Sequence, residues 1–217
     1  MEKERAPLAY LLRPKNLEEF VGQEHLVGEG RPLRKLIESG DLSSSVILWG
    51  PPGCGKTTIA KLMAKLTNCE FVELSAVNSS KADVEKAINR SKLLHKKLVL
   101  FLDEIHRFNK AQQDFLLPYV ERGTITLIGA TTENPSFEII SALLSRSRVF
   151  VLNQLSEEEI EKIVSNALKK EVLKGKKVVI DDNERKLVSK LANGDARSAL
   201  NILELAIYLT KESDGLI

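Results

Sequence analysis

The chain carries the octapeptide Gly50-Pro51-Pro52-Gly53-Cys54-Gly55-Lys56-Thr57. It fits the phosphate-loop pattern G-x-x-x-x-G-K-[ST] at every position. The apolar run Ser45–Trp49 before it indicates a buried strand, and the apolar spacing of Thr57–Leu66 after it indicates a helix. A strand, a glycine loop and a helix in this order point backbone N–H groups and a helix N-terminus at one anion. The pattern therefore predicts that a nucleoside triphosphate binds here, with Lys56 at its β- and γ-phosphates and Thr57 on Mg²⁺.

The composition is that of an ordinary soluble globular protein. Of 217 residues, 43% are hydrophobic and 29% are charged, and the net charge of +2 is too small to argue for nucleic acid or membrane binding. The two cysteines make no disulfide framework and suit a reducing compartment. No apolar run approaches the length of a membrane span, so the sequence predicts a cytoplasmic protein with no membrane partner.

Strand-like and helix-like segments alternate through most of the chain. Short apolar runs predict strands at Val46–Trp49, Phe71–Leu74, Leu98–Leu102, Thr124–Ala130 and Val149–Leu152. Apolar residues at helical spacing predict helices at Thr57–Leu66, Ala82–Leu94, Ala111–Glu121 and Phe137–Leu144. This alternation is typical of an α/β fold in which helices flank a parallel five-stranded sheet.

Past the last predicted strand the sequence becomes helical. Ser156 and Glu159 form a capping box that starts one helix, and Gly175 breaks the helical pattern. Asp181 is placed to cap a second helix, and a third follows Gly194. The sequence therefore predicts an α/β nucleotide-binding domain over residues 1–154 and a small all-helical domain over residues 155–217.

Polar residues at the ends of two predicted strands extend the candidate site. Asp103 and Glu104 follow an apolar strand, where the first carboxylate can support Mg²⁺ and the second can activate a water for attack on the γ-phosphate. The strand that precedes Thr131 and Thr132 would place one of these side chains beside the γ-phosphate if it lies next to the phosphate-loop strand. A carboxylate pair of this kind favours an ATPase over a kinase of small molecules.

Two arginines are candidates for stabilising charge on the transferred phosphoryl group, because that charge needs cations beyond one lysine and Mg²⁺. Arg146 precedes the last predicted strand, and Arg197 opens the last predicted helix. From composition alone, a solvated surface role is the alternative for each of them.

Several further stretches of the chain are informative, namely Leu8-Ala9 with Leu12-Arg13-Pro14, Phe20–Leu26 and Ile47–Gly53, and above all Asp103–Asp114 and Ile128–Glu138. In these stretches the chain resembles the AAA+ ATPases of replication and recombination. Within that class the sequence is most similar to the replication-associated recombination protein A family, also called MgsA, whose eukaryotic relative is the Werner-helicase-interacting ATPase.

The resemblance implies a role for each matching residue. It makes the octapeptide the Walker A motif, Asp103 and Glu104 the Walker B motif, and Thr132 sensor 1. Arg146 would be an arginine finger for ATP on a neighbouring subunit, and Arg197 would be sensor 2. The residues implied to contact the nucleotide are Arg13, Pro14, Val21, Gly22, Gly50, Pro51, Pro52, Gly53, Cys54, Gly55, Lys56, Thr57, Thr58 and Arg197.

The resemblance also implies a biological setting. Members of the family are ATPases stimulated by DNA, particularly at ends and gaps, and act at stalled replication forks. They form homo-oligomers, tetramers in the best-known members, and single-stranded-DNA-binding protein is a partner. Their C-terminal oligomerisation domain is expected to lie outside this chain. ATP and Mg²⁺ are the implied cofactors, and a nucleoid-associated location in the cytoplasm is implied as well.

Three other functions remain as alternatives. A Holliday-junction branch-migration motor shares the Leu-Arg-Pro and Gly-Gln segments, but the stretch between Asp103 and Thr132 leaves no room for the hairpin that such motors insert. A non-hydrolysing clamp-loader-like scaffold subunit would commonly lose parts of the ATP site, which are all present here, and Ser147 stands where clamp loaders have cysteine. A small-molecule phosphotransferase would need an acceptor pocket that nothing after Asn153 suggests.

Overall fold

The computed structural model describes residues 6–40, 42, 44–65, 69–170 and 178–210. The predicted helix end at Leu66 and the predicted break at Gly175 lie outside these residues. The described residues group into two compact units. The sheet unit comprises Glu24–Pro51 and Lys56–Leu152, and the helical unit is drawn from Met1–Gln23, Pro52–Gly55 and Asn153–Ile217.

The sheet unit is built on five parallel strands in the order β2-β3-β4-β1-β5. The strands are β1 (Ser45–Trp49), β2 (Glu70–Ser75), β3 (Leu98–Asp103), β4 (Ile125–Thr131) and β5 (Ser147–Val151). The predicted parallel sheet is confirmed. The order places β4 between β1 and β3, with Trp49 opposite Thr131.

Helices connect these strands and build the second unit. They are α1 (Leu8–Leu11), α2 (Glu24–Val27), α3 (Pro32–Ser39), α4 (Lys56–Lys65), α5 (Lys81–Leu93), α6 (Lys110–Glu121), α7 (Pro135–Glu138), α8 (Ser141–Leu144), α9 (Glu157–Leu168), α10 (Asp182–Ala192) and α11 (Ala196–Leu209), with a 3₁₀ turn at Ile105–Arg107. The apolar residues Leu98–Leu102 of β3 are completely buried, because a strand inside a parallel sheet is covered on both faces. Phe108 and Leu116 pack in the same core.

The single helix predicted at Phe137–Leu144 is wrong, because the chain is interrupted between α7 and α8. Ile139 and Ile140 are extended there, and the buried side chain of Gln113 takes over the backbone hydrogen bonds. Its Nε2 donates to the carbonyl of Glu138 at 2.9 Å, and its Oε1 accepts from the N–H of Ile140 at 2.9 Å. A side-chain amide can satisfy a broken helix in this way because it carries both a donor and an acceptor.

The predicted starts of two helices in the helical unit are confirmed. Ser156 caps α9 with Glu159 as the reciprocal partner, and Asp181 caps α10 with Glu184 in the same arrangement. The core of the unit is apolar and includes Leu155, Ile160, Val164, Val188 and Leu203. Across the described residues, no helix is both long enough and apolar enough to span a membrane.

Candidate nucleotide-binding site

The phosphate-loop octapeptide links β1 to α4. Gly50 follows the last residue of β1, and Lys56 is the first residue of α4. Gly53 and Gly55 have φ values of +65° and +108°, a region that residues with a Cβ atom rarely occupy. A Cβ atom on Gly53 would lie 2.9 Å from the Cα of Asp195, and one on Gly55 would lie 2.7 Å from the ring of Phe20. Both glycines are therefore required by the backbone conformation and by close neighbours.

The side chain of Lys56 lies against its own loop. The residue is only 8% exposed, and its Nζ donates to the carbonyl oxygens of Gly50 at 2.7 Å and Pro51 at 2.8 Å. A buried ammonium group needs such acceptors, because an unpaired buried charge is costly. Thr57 and Thr58 follow in the first turn of α4.

The carboxyl ends of β1, β3 and β4 meet at one edge of the sheet, as parallel strands require. The N–H of Gly50 donates to the carbonyl of Thr131 at 3.1 Å, which ties the start of the loop to the last residue of β4. The indole N–H of Trp49 lies 3.4 Å from the carbonyl of Thr132. Asp103 is the last residue of β3, so its carboxylate also belongs to this edge.

Glu104 has an unusual backbone and a defined side-chain partner. Its φ and ψ are 54° and 43°, left-handed values that are uncommon for a residue other than glycine. Its N–H donates to Asp103 Oδ1 at 3.1 Å, and its Oε2 lies 3.1 Å from Nε2 of His106. The other ring nitrogen of His106 lies 2.9 Å from Oγ1 of the fully buried Thr131.

The family resemblance assigns sensor 1 to Thr132, whereas reasoning from the strand left both Thr131 and Thr132 open. The residue that the structure links to Glu104 through His106 is Thr131. His106 was not among the sequence-based site residues. Its spacing from Glu104 is the signal that could have identified it, since a residue two positions along a tight turn can reach back to the first side chain.

Arg146 lies in the sheet unit between α8 and β5. Its Nη2 lies 2.7 Å from Oε1 of Glu121, and its Nη1 donates to the carbonyl of Ala142 at 2.8 Å and to Ser145 Oγ at 3.0 Å. Its side chain is 41% exposed. The guanidinium group is thus oriented at the surface of the unit by several acceptors.

The remaining candidate residues belong to the helical unit. The guanidinium of Arg13 lies over the ring of Tyr10, 5.6 Å from its centroid, and Pro14 follows it. Gly22, next to Val21, has a φ of +85°. Arg197 is the second residue of α11, exposed at a helix start that Asp195 caps.

The residues predicted to hold Mg²⁺ offer the oxygen donors that this ion prefers. Thr57 supplies a hydroxyl and Asp103 a carboxylate. Among the residues that the structure describes, no three His, Cys, Asp or Glu side chains group as a metal site. One hydroxyl and one carboxylate are oxygen ligands of the kind that Mg²⁺ takes from a protein, with water and phosphate oxygens completing its shell.

Comparison with known families places the chain. The pattern of the family described as "ATPase family associated with various cellular activities (AAA)" matches residues 46–157, about half of the chain. The chain therefore belongs to the AAA family of ATPases. Its fold is similar to that of the RuvB Holliday junction branch migration motor of Thermotoga maritima, with a TM-score of 0.73 and 30% identity over 89% of this chain and 64% of that one.

Curated relatives are more similar to this chain in sequence than RuvB is. Replication-associated recombination protein A of Haemophilus influenzae is 47% identical over 219 residues, covering 99% of this chain and 49% of that protein. The Escherichia coli K12 protein of the same name is 47% identical over 96% of this chain. ATPase WRNIP1 of Dictyostelium discoideum is 45% identical over 97% of this chain and 24% of its own length. The resemblance found in the sequence is thus confirmed, and the chain spans about half the length of its bacterial relatives.

Proposed function

We propose that the chain is the ATP-hydrolysing part of a DNA-dependent ATPase that acts in replication-fork maintenance and recombination. The observation that carries the proposal is the strand order, in which β4 separates β1 from β3. The phosphate loop after β1 and the carboxylates of Asp103 and Glu104 after β3 therefore flank the end of β4 at a single edge of the sheet. The sequence similarity to replication-associated recombination protein A supports the DNA-linked part of the proposal.

In this proposal the residues of the sheet unit perform the chemistry. Lys56 leaves the carbonyls of its loop for the β- and γ-phosphates, and Glu104 orients and deprotonates the attacking water. Thr57 and Asp103 hold Mg²⁺, which neutralises phosphate charge when it is bound. Arg146 supplies a further cation to ATP on a neighbouring subunit.

The helical unit has a different role in the proposal. Arg197 acts as sensor 2 on the phosphates. Val21 and Gly22 pack on the adenine, with Arg13 and Pro14 near the nucleotide. Thr132 keeps its proposed place as sensor 1 at the end of β4. Thr58 and the backbone of the loop from Gly50 to Gly55, including Cys54, surround the phosphates.

The proposed setting follows the family resemblance found in the sequence. Its DNA substrates are ends, gaps and forks, and its proposed partners are single-stranded-DNA-binding protein and other copies of the same chain, which form a tetramer in the full-length protein. The proposed location is the cytoplasm, in association with the nucleoid. Each of these points is carried by similarity alone.

The first experiment is ATP turnover per protomer as the protein concentration is raised, with and without forked DNA. We expect the turnover per protomer to increase with protein concentration, because Arg146 completes the site of a neighbouring subunit. Forked DNA should increase the turnover further. Arg146→Ala should abolish the dependence on protein concentration, whereas the matched control Arg148→Ala, at an exposed arginine in β5, should preserve it. A rate independent of concentration in the wild type would refute the shared site, and a rate unaffected by forked DNA would refute the DNA-dependent part.

The role of Glu104 has its own test. Glu104→Gln should bind ATP normally and lose turnover by about 100-fold or more, the usual contribution of a general base. Binding can be followed through Trp49, the single tryptophan of the chain, which directly precedes the loop. Unchanged turnover in this variant would refute the assignment.

A Holliday-junction branch-migration motor is the second candidate function, because of the fold similarity to RuvB. The lower identity, 30% against 47% for the recombination protein A of Haemophilus influenzae, ranks it below the first. Branch migration of a four-way junction by the purified protein would reverse that order. A clamp-loader-like scaffold would instead bind ATP without turnover.

A further inference from the structure

His106 stands at the centre of a chain of polar side chains that begins at the partly exposed Glu104 and ends at the buried Thr131. The imidazole is 7% exposed, with Nε2 3.1 Å from Glu104 Oε2 and Nδ1 2.9 Å from Thr131 Oγ1. An ionised carboxylate only accepts hydrogen bonds, so Nε2 must carry the hydrogen that bridges to Glu104. Thr131 Oγ1 also accepts the N–H of Glu133 at 3.0 Å and lies 3.2 Å from the carbonyl of that residue.

The two ends of this bridge belong to different strands of the sheet unit. Glu104 directly follows β3, and Thr131 is the last residue of β4. The carbonyl of Thr131 in turn accepts the N–H of Gly50, the first residue of the phosphate loop, at 3.1 Å. Because an imidazole ring is rigid, a shift at the end of β4 must move the carboxylate of Glu104 or break one of the two hydrogen bonds.

We infer that His106 is a positioning residue that fixes the carboxylate of Glu104 and couples its orientation to the hydroxyl of Thr131 at the end of β4. The inference rests on the proposed function, in which Glu104 activates the attacking water. A histidine that only filled space in the core would affect stability alone. A positioning residue instead affects turnover while leaving ATP binding intact.

Two substitutions separate the two hydrogen bonds of the ring. The amide nitrogen of glutamine reaches about as far as Nε2 of histidine, whereas that of asparagine reaches only as far as Nδ1. His106→Gln therefore keeps a donor for Glu104, and His106→Asn keeps only the contact with Thr131. We expect His106→Asn to lower kcat about 10- to 100-fold, the range for a lost hydrogen bond to a charged group, with KM for ATP within about twofold of the wild type. His106→Gln should retain most of the activity.

Thr131→Val tests the far end of the bridge. It should lower kcat no more than His106→Gln does, because both variants lose the contact at Thr131 and keep the one at Glu104. It should add nothing when combined with His106→Asn, in which the link between Glu104 and Thr131 is already broken. His95→Asn makes the same change at an exposed histidine and should leave kcat unchanged. Ring nitrogen-15 spectra of the wild type provide a test without any variant at position 106 and should show a protonated Nε2 for His106.

The outcomes distinguish this inference from the proposed function. If Glu104→Gln is inactive while His106→Asn has the wild-type kcat, with or without a raised KM for ATP, the inference is overturned and the proposed function stands. Equal turnover of His106→Gln and His106→Asn, or an unprotonated Nε2 of His106 in the wild type, would also overturn the inference. If Glu104→Gln turns over normally, the proposed base is refuted and the inference falls with it.

Discussion

Gln23 is a buried polar residue of the helical unit, and its replacement should have a clear effect on stability. It is 4% exposed and binds the backbone of Asn153 in both directions. Its Nε2 donates to the carbonyl of Asn153 at 2.7 Å, and its Oε1 accepts the N–H of the same residue at 2.8 Å. Nε2 also lies 3.4 Å from the carbonyl of Cys54 in the phosphate loop. Gln23→Glu keeps the shape of the side chain but removes the donor and places a carboxylate oxygen against these carbonyls.

The expected cost follows from these contacts. Loss of the donated hydrogen bonds costs about 1–2 kcal/mol, and a buried acceptor left facing another acceptor costs about 1–3 kcal/mol more. A total of about 3 kcal/mol corresponds to a fall in melting temperature of about 6–12 °C for a chain of this size. Thermal and urea unfolding, followed by far-ultraviolet circular dichroism, would measure it.

Gln112→Glu is the matched control for this experiment. In the capping box of α6, Gln112 Oε1 accepts the N–H of Asn109 at 3.0 Å, a role that a carboxylate fulfils equally well at a helix N-terminus. The stability should therefore change by less than about 0.5 kcal/mol. A Gln23→Glu variant that melts as the control does would refute the argument that the donor of Gln23 stabilises the unit.

Three other predictions concern stability. Asp195→Ala removes the cap that accepts two backbone N–H groups of α11 at 2.8 and 3.0 Å and should cost about 1–2 kcal/mol in urea unfolding, whereas Asp195→Asn should cost little. Gly129→Ala places a methyl group 2.8 Å from Cδ1 of Ile47 and should cost about 1–3 kcal/mol through overpacking of the sheet; unaltered thermal stability would contradict this. Lys170 Nζ donates a hydrogen bond to Glu19 at 2.7 Å and lowers the pKa of that carboxyl from its usual 4.5. The pair therefore stabilises the fold above pH 4.5, and this stabilisation is lost as the pH falls through the lowered pKa. It amounts to less than about 1 kcal/mol because the pair is partly exposed. The stability difference between wild type and Lys170→Met should accordingly shrink as the pH falls below 4.5 and vanish once the carboxyl of Glu19 is protonated in the folded state as well, and a difference that persisted in strong acid would contradict the assignment.

The sheet could be predicted from the sequence because its strands are covered on both faces. Such strands appear as short runs without polar residues, and Leu98–Leu102 is the clearest of them. The interruption between α7 and α8 could not be predicted in the same way. Its cause is the buried amide of Gln113, more than twenty residues earlier in the chain, and the apolar pattern included Phe137, which is 83% exposed.

The grouping of the phosphate loop also depends on contacts that sequence patterns do not reveal. Pro52–Gly55 belongs to the helical unit because the carbonyl of Gly53 accepts the N–H of Ala196 at 3.3 Å and because Gln23 reaches the loop at Cys54. The division of the chain at residue 154 stays a prediction, as do the roles assigned to the individual site residues. A motif identifies the loop, but hydrogen bonds between distant segments decide what the loop packs against.

The backbone of Glu104 shows why the end of β3 is organised around this residue. A left-handed conformation costs of order 1–2 kcal/mol for a residue with a Cβ atom, and glycine would adopt it without that cost. The structure keeps a glutamate there and surrounds it with compensating contacts, the hydrogen bond from its own N–H to Asp103 and the bridge from its carboxylate to His106. A residue selected for stability alone would relax this turn, so the retained strain is expected where a carboxylate must be held in one orientation. Strand pairing explains why Thr131 and not Thr132 completes the bridge through His106 to Glu104. Pairing with Trp49 in β1 fixes Thr131 at the last position of β4.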